Sequence, residues 1–247
     1  MPDIEITDDG AIRTIRMNRP DKKNALTLAM YRLMAAAIQE VNRMPDICCL
    51  LVTGGTAFCA GNDINDFIDA AKSGALAEPV TSFLDALVRN EKPIVAAVAG
   101  PAVGIGVTML LHCDHVIAAR DAVLSTPFVA LGLLPEAAST LIAPRLMGHA
   151  RAFELLVMGR PLDADAARDA GLVNNVVEPD QLDAAALHAA REIAALPGEA
   201  VKAARRLMRG PVSELSVRVD EEVALFKERL GSDEAKAAFA AFLNRKR

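Results

Sequence analysis

The feature that most constrains the fold is a series of short, almost uncharged apolar segments. They alternate with longer segments in which apolar residues recur at helical spacing. The short segments have the length of buried strands: ICCLLVTG (47–54), PIVAAVAG (93–100), HVIAA (115–119), AVLST (122–126) and LVNNVV (172–177). Apolar residues recur at helical spacing between them, near 64–73, 80–90, 104–112, 139–147, 149–158 and 163–170. Because buried strands that alternate with helices are joined by crossover connections, this order predicts an α/β fold.

The two ends of the chain depart from the alternation. Near the N-terminus, IEIT, DDG and AIRTIRM predict a hairpin around an Asp-Gly turn, and the segment 27–44 predicts a helix with Thr27 as its N-cap. From about residue 180 the pattern is purely helical. We therefore divide the chain into a core, residues 1–197, and a helical C-terminal region, residues 198–247, with LPGEA at the junction.

Composition and charge exclude several classes of function. At 247 residues and 52% hydrophobic, the chain can bury a sizeable core, and its mean hydropathy of +0.25 hints at apolar surface buried between subunits. A net charge of −5 gives no footprint for nucleic acid. We see neither a signal peptide nor an uninterrupted membrane-spanning run, so we expect no membrane partner.

The cysteine and histidine pattern predicts neither a disulfide framework nor a metal site. None of the four cysteines forms a CxxC pair, and we expect them to be free thiols in a reduced, cytoplasmic compartment. His112 and His115 flank Asp114, but no matching ligand cluster occurs elsewhere in the sequence. We therefore expect no metal.

Two glycine-containing turns follow predicted strands and precede predicted helices. In GGTAFCAGNDI (54–64) and AGPAVGIGVTMLL (99–111), such a turn can leave backbone N–H groups unpaired and pointing at a ligand. The alternative for the first is an ordinary strand-to-helix loop with Asn62 or Asp63 as helix N-cap. The second matches neither a dinucleotide-binding fingerprint nor a phosphate-binding P-loop.

Glu136 is the only charged side chain between Asp121 and Arg145. In one interpretation, Pro135 and Glu136 occupy the first turn of a helix, where the helix dipole favours an acid by about 0.3–1 kcal/mol. In the other, the carboxylate is buried, its pKa is raised toward neutrality, and it serves as a general base. The residues alone leave both interpretations open.

Six segments, taken together in chain order, resemble the crotonase superfamily, which is the enoyl-CoA hydratase/isomerase family. They are NRPDKKNAL (18–26), FCAGNDI (58–64), AGPAVGIGVTMLLHCDHVIAA (99–119), TPFVALGLLPEAASTLIAPRLMG (126–148), DAGLVNNVV (169–177) and LFKERLGSDEAKAAFAAFLNRKR (225–247). The resemblance implies a crotonase-like fold of repeated ββα units with a helical C-terminal region. It also implies an acyl-CoA thioester substrate, no dissociable cofactor, and a homotrimer or a dimer of trimers.

The resemblance also implies roles for individual residues. The backbone N–H groups of Asn62 and Ile105 would form an oxyanion hole for the thioester oxygen, and Glu136 would be the catalytic base. Lys23 could equally be a solvated loop charge. The residues placed in or near the CoA and substrate site are Lys23, Ala25, Ala60, Gly61, Asp63, Ile64, Gly104 and Phe128.

Departures from the family pattern predict the reaction. Hydratases carry two glutamates at positions that here hold Thr108 and Phe128, and neither residue can deprotonate water. The pattern PF…LG…PE…S is similar to that of the peroxisomal-type Δ3,Δ2-enoyl-CoA isomerases of fatty acid β-oxidation, in which the Glu after the Pro is the base. We expect an isomerase. The alternatives are another crotonase chemistry, such as hydration, and a non-catalytic acyl-CoA-binding homologue.

Overall fold

The computed structural model of the chain describes residues 1–63, 66 and 76–245. Most of the predicted helix over 64–73 lies outside the described residues. The strands are β1 (Ile4–Asp9), β2 (Ile12–Met17), β3 (Cys49–Thr53), β4 (Ile94–Val98), β5 (Pro101–Val103), β6 (His115–Ala119), β7 (Val123–Ser125), β8 (Leu162–Asp163) and β9 (Asn175–Val177).

The α-helices of the described part are numbered in chain order. They are α1 (Leu28–Val41), α2 (Glu78–Arg89), α3 (Ile105–Thr108), α4 (Ser139–Met147), α5 (His149–Leu156), α6 (Ala164–Asp169), α7 (Leu182–Ala194), α8 (Gly198–Arg209), α9 (Val212–Leu230) and α10 (Asp233–Arg245).

The main sheet is six-stranded, in the order β1-β2-β3-β4-β6-β9. β1 and β2 form the predicted antiparallel hairpin, with Gly10 at a φ of 58° in the turn. The remaining neighbours pair in parallel. This arrangement confirms the α/β prediction.

Helices cover both faces of the main sheet. On β3, Leu50 and Val52 face one cluster of buried residues, whereas Cys49 and Leu51 face the other. The first cluster includes α1 and α2, and the second includes α7. Because side chains alternate along a strand, a strand covered on both faces is apolar throughout, which explains its continuous apolar run.

A second sheet, in the order β5-β7-β8, gives the fold its repeated units. β4 belongs to the main sheet, β5 follows it into the second sheet, and α3 follows β5. The predicted strand 122–126 is β7 and also lies in this second sheet. The predicted strand 172–177 is shorter than expected, since only 175–177 pair with β6.

From residue 182 the chain is helical, as predicted, and α8 begins at Gly198, the first residue of the proposed C-terminal region. α9 and α10 pack Phe226, Leu230, Ala235 and Phe239 against Phe128. The helical region thereby covers the segment that contains Glu136. In the part of the chain that was described, no helix is long and apolar enough to cross a membrane.

Candidate active site

Two chain segments that carry the predicted oxyanion donors run side by side. Cys59 pairs with Ala102 in an isolated parallel bridge: the N–H of Cys59 donates to the carbonyl of Pro101 at 3.0 Å, and the N–H of Val103 donates to the carbonyl of Cys59 at 2.8 Å. Further along, a Cβ on Gly61 would lie 3.2 Å from the carbonyl oxygen of Val103. The two segments therefore stay in contact up to the residues that precede Asn62 and Ile105.

The N–H groups of Asn62 and Ile105 donate no hydrogen bond to any residue that the structure describes. The N–H of Leu26 donates to Gly61 and that of Asp63 donates to Leu26, both at 2.8 Å. Because N–H groups alternate along extended backbone, that of Asn62 points away from Leu26. Ile105 is the first residue of α3, where an N–H has no intrahelical acceptor.

Glycines allow the two loops to approach this closely. A Cβ on Gly106 would lie 2.8 Å from the carbonyl oxygen of Cys59 and 2.9 Å from its Cβ. Gly61 and Gly104 have φ angles of 89° and 57°, a region that residues with a Cβ rarely adopt. Gly104 lies against the ring of Phe128. The glycines therefore fix the spacing between the loops and the direction of the N–H groups.

The predicted CoA-site segment packs along the first loop. The N–H of Ala60 donates to the carbonyl of Lys23 at 2.9 Å, and the side chain of Lys23 is exposed. Asn24 is buried, and its side-chain amide donates to the carbonyls of Gly54 and Ala57 at 2.8 and 2.6 Å. Asn24 thus locks the turn that precedes Ala60.

An ion pair ties the same two segments together. Arg19 donates to the Asp63 carboxylate at 2.7 Å and to the Ala25 carbonyl at 2.9 Å. The Asp63 side chain is engaged by Arg19 rather than left open to a ligand. The structure brings together Lys23, Ala25, Ala60, Gly61 and Asp63; Ile64 lies outside the described residues, and all their roles toward CoA stay predictions.

Glu136 lies in irregular backbone before a helix rather than in its first turn. α4 begins at Ser139, so the interpretation of Pro135 and Glu136 as first-turn residues was wrong. The carboxyl is 6% exposed. It accepts a hydrogen bond of 2.7 Å from the hydroxyl of Thr108, which is buried on α3 three residues after Ile105. This contact places Glu136 beside α3, the helix that begins at Ile105.

The surroundings of Glu136 disfavour its ionised form. The pKa of Glu136 is raised to about 8, chiefly by burial; the hydrogen bond from Thr108 opposes this shift, and the nearby carboxyl of Glu222 adds to it. A carboxyl with a pKa near the working pH can both take up and return a proton. The physical requirement for a general base, which the sequence left open, is met at this position.

Tyr31 and Phe128 complete the surroundings. Tyr31, the only tyrosine of the chain, donates its hydroxyl to the side-chain oxygen of Asn62. Burial raises the pKa of Tyr31 well above its usual range, and Glu136 adds to this shift. A cavity of about 20 Å³ beside Tyr31 and Asn62 is lined by α9 through Phe226 and Leu230. It has room for about one water molecule.

The histidines, cysteines and acidic residues were also compared with the ligand sets that hold metal ions. Within the described ranges, no group of His, Cys, Asp or Glu residues could hold a metal ion. His112 is instead buried, and its ring Nε2 forms a hydrogen bond of 2.7 Å with the carbonyl of Ala137, the residue after Glu136. All four cysteines are free thiols.

Sequence reasoning missed Tyr31, Asn24 and Glu222 as site residues. Tyr31 had one available signal, because a single polar aromatic stood on the apolar face of a predicted helix. Asn24 and Glu222 had none, since each looks like an ordinary polar residue until its distant partners are known.

Comparisons with known proteins identify the family of the chain. The model of the enoyl-CoA hydratase/isomerase family matches residues 7–247. Enoyl-CoA delta isomerase 2 of Rattus norvegicus is 34% identical over 251 residues, which cover 98% of this chain and 64% of the relative. The chain therefore spans just under two thirds of that protein's length. The 1,2-epoxyphenylacetyl-CoA isomerase of Escherichia coli is 38% identical over 193 residues, 75% of this chain and 74% of the relative.

A solved structure shows the same fold. OdaA of Pseudomonas aeruginosa superposes with a TM-score of 0.93 at 43% identity, and the match covers 98% of this chain and 99% of that one. The chain belongs to the enoyl-CoA hydratase/isomerase family, the crotonase superfamily.

Proposed function

We propose that the chain is an enoyl-CoA isomerase that converts 3-enoyl-CoA to 2-trans-enoyl-CoA with Glu136 as its only base. The observation that carries this proposal is the environment of Glu136, a buried carboxyl with a pKa of about 8 held by Thr108 next to Ile105. The two positions at which hydratases carry glutamates hold Thr108 and Phe128.

In the proposed reaction, the Glu136 carboxylate removes a proton from C2 of the substrate. The electron pair of that C–H bond moves into a dienolate, whose oxygen accepts hydrogen bonds from the N–H groups of Asn62 and Ile105. The protonated carboxyl then returns its proton to C4, and the double bond is left between C2 and C3. A donor of this kind stabilises the transition state by about 3 kcal/mol.

The apolar surroundings suit proton return to carbon. Phe128, Phe226 and Leu230 belong to one buried cluster around the candidate site. They exclude water, which would otherwise add to the conjugated product or trap the proton. Besides the group that transfers the proton, a hydratase needs an ionised carboxylate that positions and activates water. Among the described residues, Glu222 is the other buried carboxyl near Glu136, and its oxygens are already bonded.

The remaining expectations belong to the same proposal. CoA lies along the segment of Lys23, Ala25, Ala60, Gly61 and Asp63, and the acyl chain passes Gly104 and Phe128. The reaction uses no dissociable cofactor, since the proton leaves and returns on one carboxyl. The enzyme works in the cytoplasm as a homotrimer or a dimer of trimers, in fatty acid β-oxidation.

The proposal is tested by following product from 3-hexenoyl-CoA and, separately, from 2-hexenoyl-CoA in water. We expect ultraviolet absorbance of the conjugated thioester to grow with the first substrate and no 3-hydroxy product from the second. Hydration of 2-hexenoyl-CoA without isomerisation would instead assign a hydratase. Tight binding of acyl-CoA without exchange of C2 protons in deuterated solvent would assign a non-catalytic binding protein.

A further inference from the structure

The turn that follows Glu136 is strained. Ala137 and Ala138 have φ angles of 64° and 54°, in the left-handed region that a Cβ disfavours. Both residues are buried. Two consecutive non-glycine residues keep this conformation only where the surrounding structure holds them in it. The contacts of this turn therefore decide where the Glu136 carboxyl points.

Glu222 holds the turn from the C-terminal helical region. It lies on α9, is 4% exposed, and accepts a hydrogen bond from the N–H of Ala138 at 2.6 Å. Its other oxygen accepts from the N–H and the hydroxyl of Thr140, at 3.0 and 2.6 Å. One carboxylate thus satisfies backbone donors that α4 leaves unpaired at its N-terminus.

The carbonyl side of the same turn is held by His112. Burial, together with Arg209 beside it, lowers the pKa of His112 to about 4, so the imidazole is neutral at physiological pH. Arg209 can only donate, at 3.1 Å to Nδ1, so Nε2–H donates to the carbonyl of Ala137. Glu222 therefore binds the N–H groups of the turn, and His112 binds its carbonyl group.

We propose that Glu222 is a positioning residue for Glu136: by binding the N–H groups of Ala138 and Thr140, it fixes the strained turn that aims the Glu136 carboxyl at the substrate. The proposal rests on the proposed function of Glu136 as the base. Glu222 itself touches no reacting atom. It reaches the turn across 84 residues of sequence.

Glu222 also acts on Glu136 through its charge. Among the described residues, the ionisable groups that face Glu136 are Cys59, Tyr31 from α1 and Glu222 from α9. Burial raises the pKa of Glu222, and the hydrogen bonds from Thr140 and Ala138, with Arg218 on the same helix, oppose that shift. Removing the charge of Glu222 therefore lowers the pKa of Glu136.

The test compares Glu222→Gln with Glu214→Gln. Glu214 lies on the same helix and also bridges to α4, through Arg145 at 2.6 Å, but on the exposed surface. With 3-hexenoyl-CoA, we expect Glu222→Gln to lower kcat about tenfold to a hundredfold with KM within about twofold. In Glu222→Gln, we expect kcat/KM to increase at a lower pH than in the wild type. Glu214→Gln leaves kcat, KM and the pH profile at wild-type values.

A graded variant covers the case in which Glu222→Gln does not fold. Thr140→Val removes one of the three hydrogen bonds to Glu222 and keeps its carboxyl group. We expect a severalfold lower kcat. Unchanged kcat in either variant, or an equal loss in Glu214→Gln, overturns the proposal.

A second readout separates this proposal from the proposed function. In protein with carbon-13-labelled glutamate carboxyls, the Glu136 signal, assigned by its loss in Glu136→Gln, reports its titration whatever the reaction. We expect its midpoint to be lower in Glu222→Gln than in the wild type and in Glu214→Gln. If the wild type fails to isomerise 3-hexenoyl-CoA while this shift appears, the function fails and the link between the two carboxyls stands. If the midpoint in Glu222→Gln equals that of the wild type, the link between the two carboxyls is wrong.

Discussion

At the scale of single residues, the proposed role of Glu136 as the base predicts how the reaction depends on pH. Its pKa of about 8 in the folded protein leaves it mostly protonated at pH 7, and only the carboxylate can remove the C2 proton. We therefore predict that kcat/KM rises as pH increases and levels off above about pH 8. Rates with 3-hexenoyl-CoA between pH 6 and 9 check this. A flat or falling profile would contradict it.

Thr108 is expected to tune that profile. Its hydroxyl stabilises the Glu136 carboxylate, so Thr108→Val, which keeps the volume, raises the pKa of Glu136 further. The rise of kcat/KM moves to higher pH, and the rate at pH 7 falls. Thr126→Val is the matched control, because Thr126 is equally buried and bonds the carbonyl of Leu155 instead. An identical profile for the two variants would remove Thr108 from the account.

The sequence identified Glu136 because it stood alone among apolar residues. It could not identify Glu222, which follows Asp220 and Glu221 in a charged helix and resembles its exposed neighbours. Burial of Glu222 results from the packing of α9 on residues 138–140, a contact between distant parts of the chain. No local pattern encodes such a contact.

At the scale of elements, the spacing of the two oxyanion loops depends on Gly106. An added Cβ meets the backbone of Cys59, which cannot move aside like a flexible side chain. For Gly106→Ala we predict a loss of about 1–3 kcal/mol in the free energy of unfolding. We also predict a kcat at least tenfold lower, since the donors of Asn62 and Ile105 are displaced by about an ångström.

Gly198→Ala is the control for this prediction. Gly198 begins α8, and a Cβ there meets nothing within 4 Å. We expect its free energy of unfolding to change by less than about 0.5 kcal/mol and its kcat to stay at the wild-type value. Denaturant titration and initial rates measure both. If Gly106→Ala behaved like Gly198→Ala, the close approach of the two loops would not depend on Gly106.

Element prediction succeeded where the hydrophobic pattern was long. The hairpin, the helix that Thr27 caps, and the buried strands of the main sheet were predicted within a few residues. The second sheet was not recognised as separate, because β5 and β8 have only three and two residues. Strands this short have no readable alternation, and their pairing depends on where the preceding turns direct the chain.

At the scale of the whole molecule, α8 carries apolar side chains that the described part of the chain leaves uncovered. Leu207 and Met208 are 79% and 88% exposed, and Leu196 beside the helix is 54% exposed. Exposed apolar residues that cluster in this way are typical of surfaces between subunits. We predict that Leu207→Glu with Met208→Glu lowers the oligomer mass, measured by light scattering after size exclusion. Met158→Glu, on α5's C-terminal side and half exposed, is expected to leave the mass unchanged.

A monomeric wild type would contradict the assignment of α8 to an interface, as would an unchanged mass in the double variant. The cavity of about 680 Å³ next to this helix is lined by Lys202, Arg205, Arg206 and Arg209 and lies away from Glu136. A covering subunit would close it. The oligomer mass of the wild type and of the double variant therefore tests the prediction of a trimer or a dimer of trimers.

The central claim is that one buried carboxyl carries the chemistry, and Glu136→Gln tests it most directly. The substitution keeps the shape and the hydrogen bond from Thr108 but cannot accept the C2 proton. We predict that kcat for 3-hexenoyl-CoA falls about a thousandfold while the Kd for the saturated hexanoyl-CoA stays within about threefold. A variant that binds the thioester and still isomerises it at the wild-type rate would show that the base lies elsewhere.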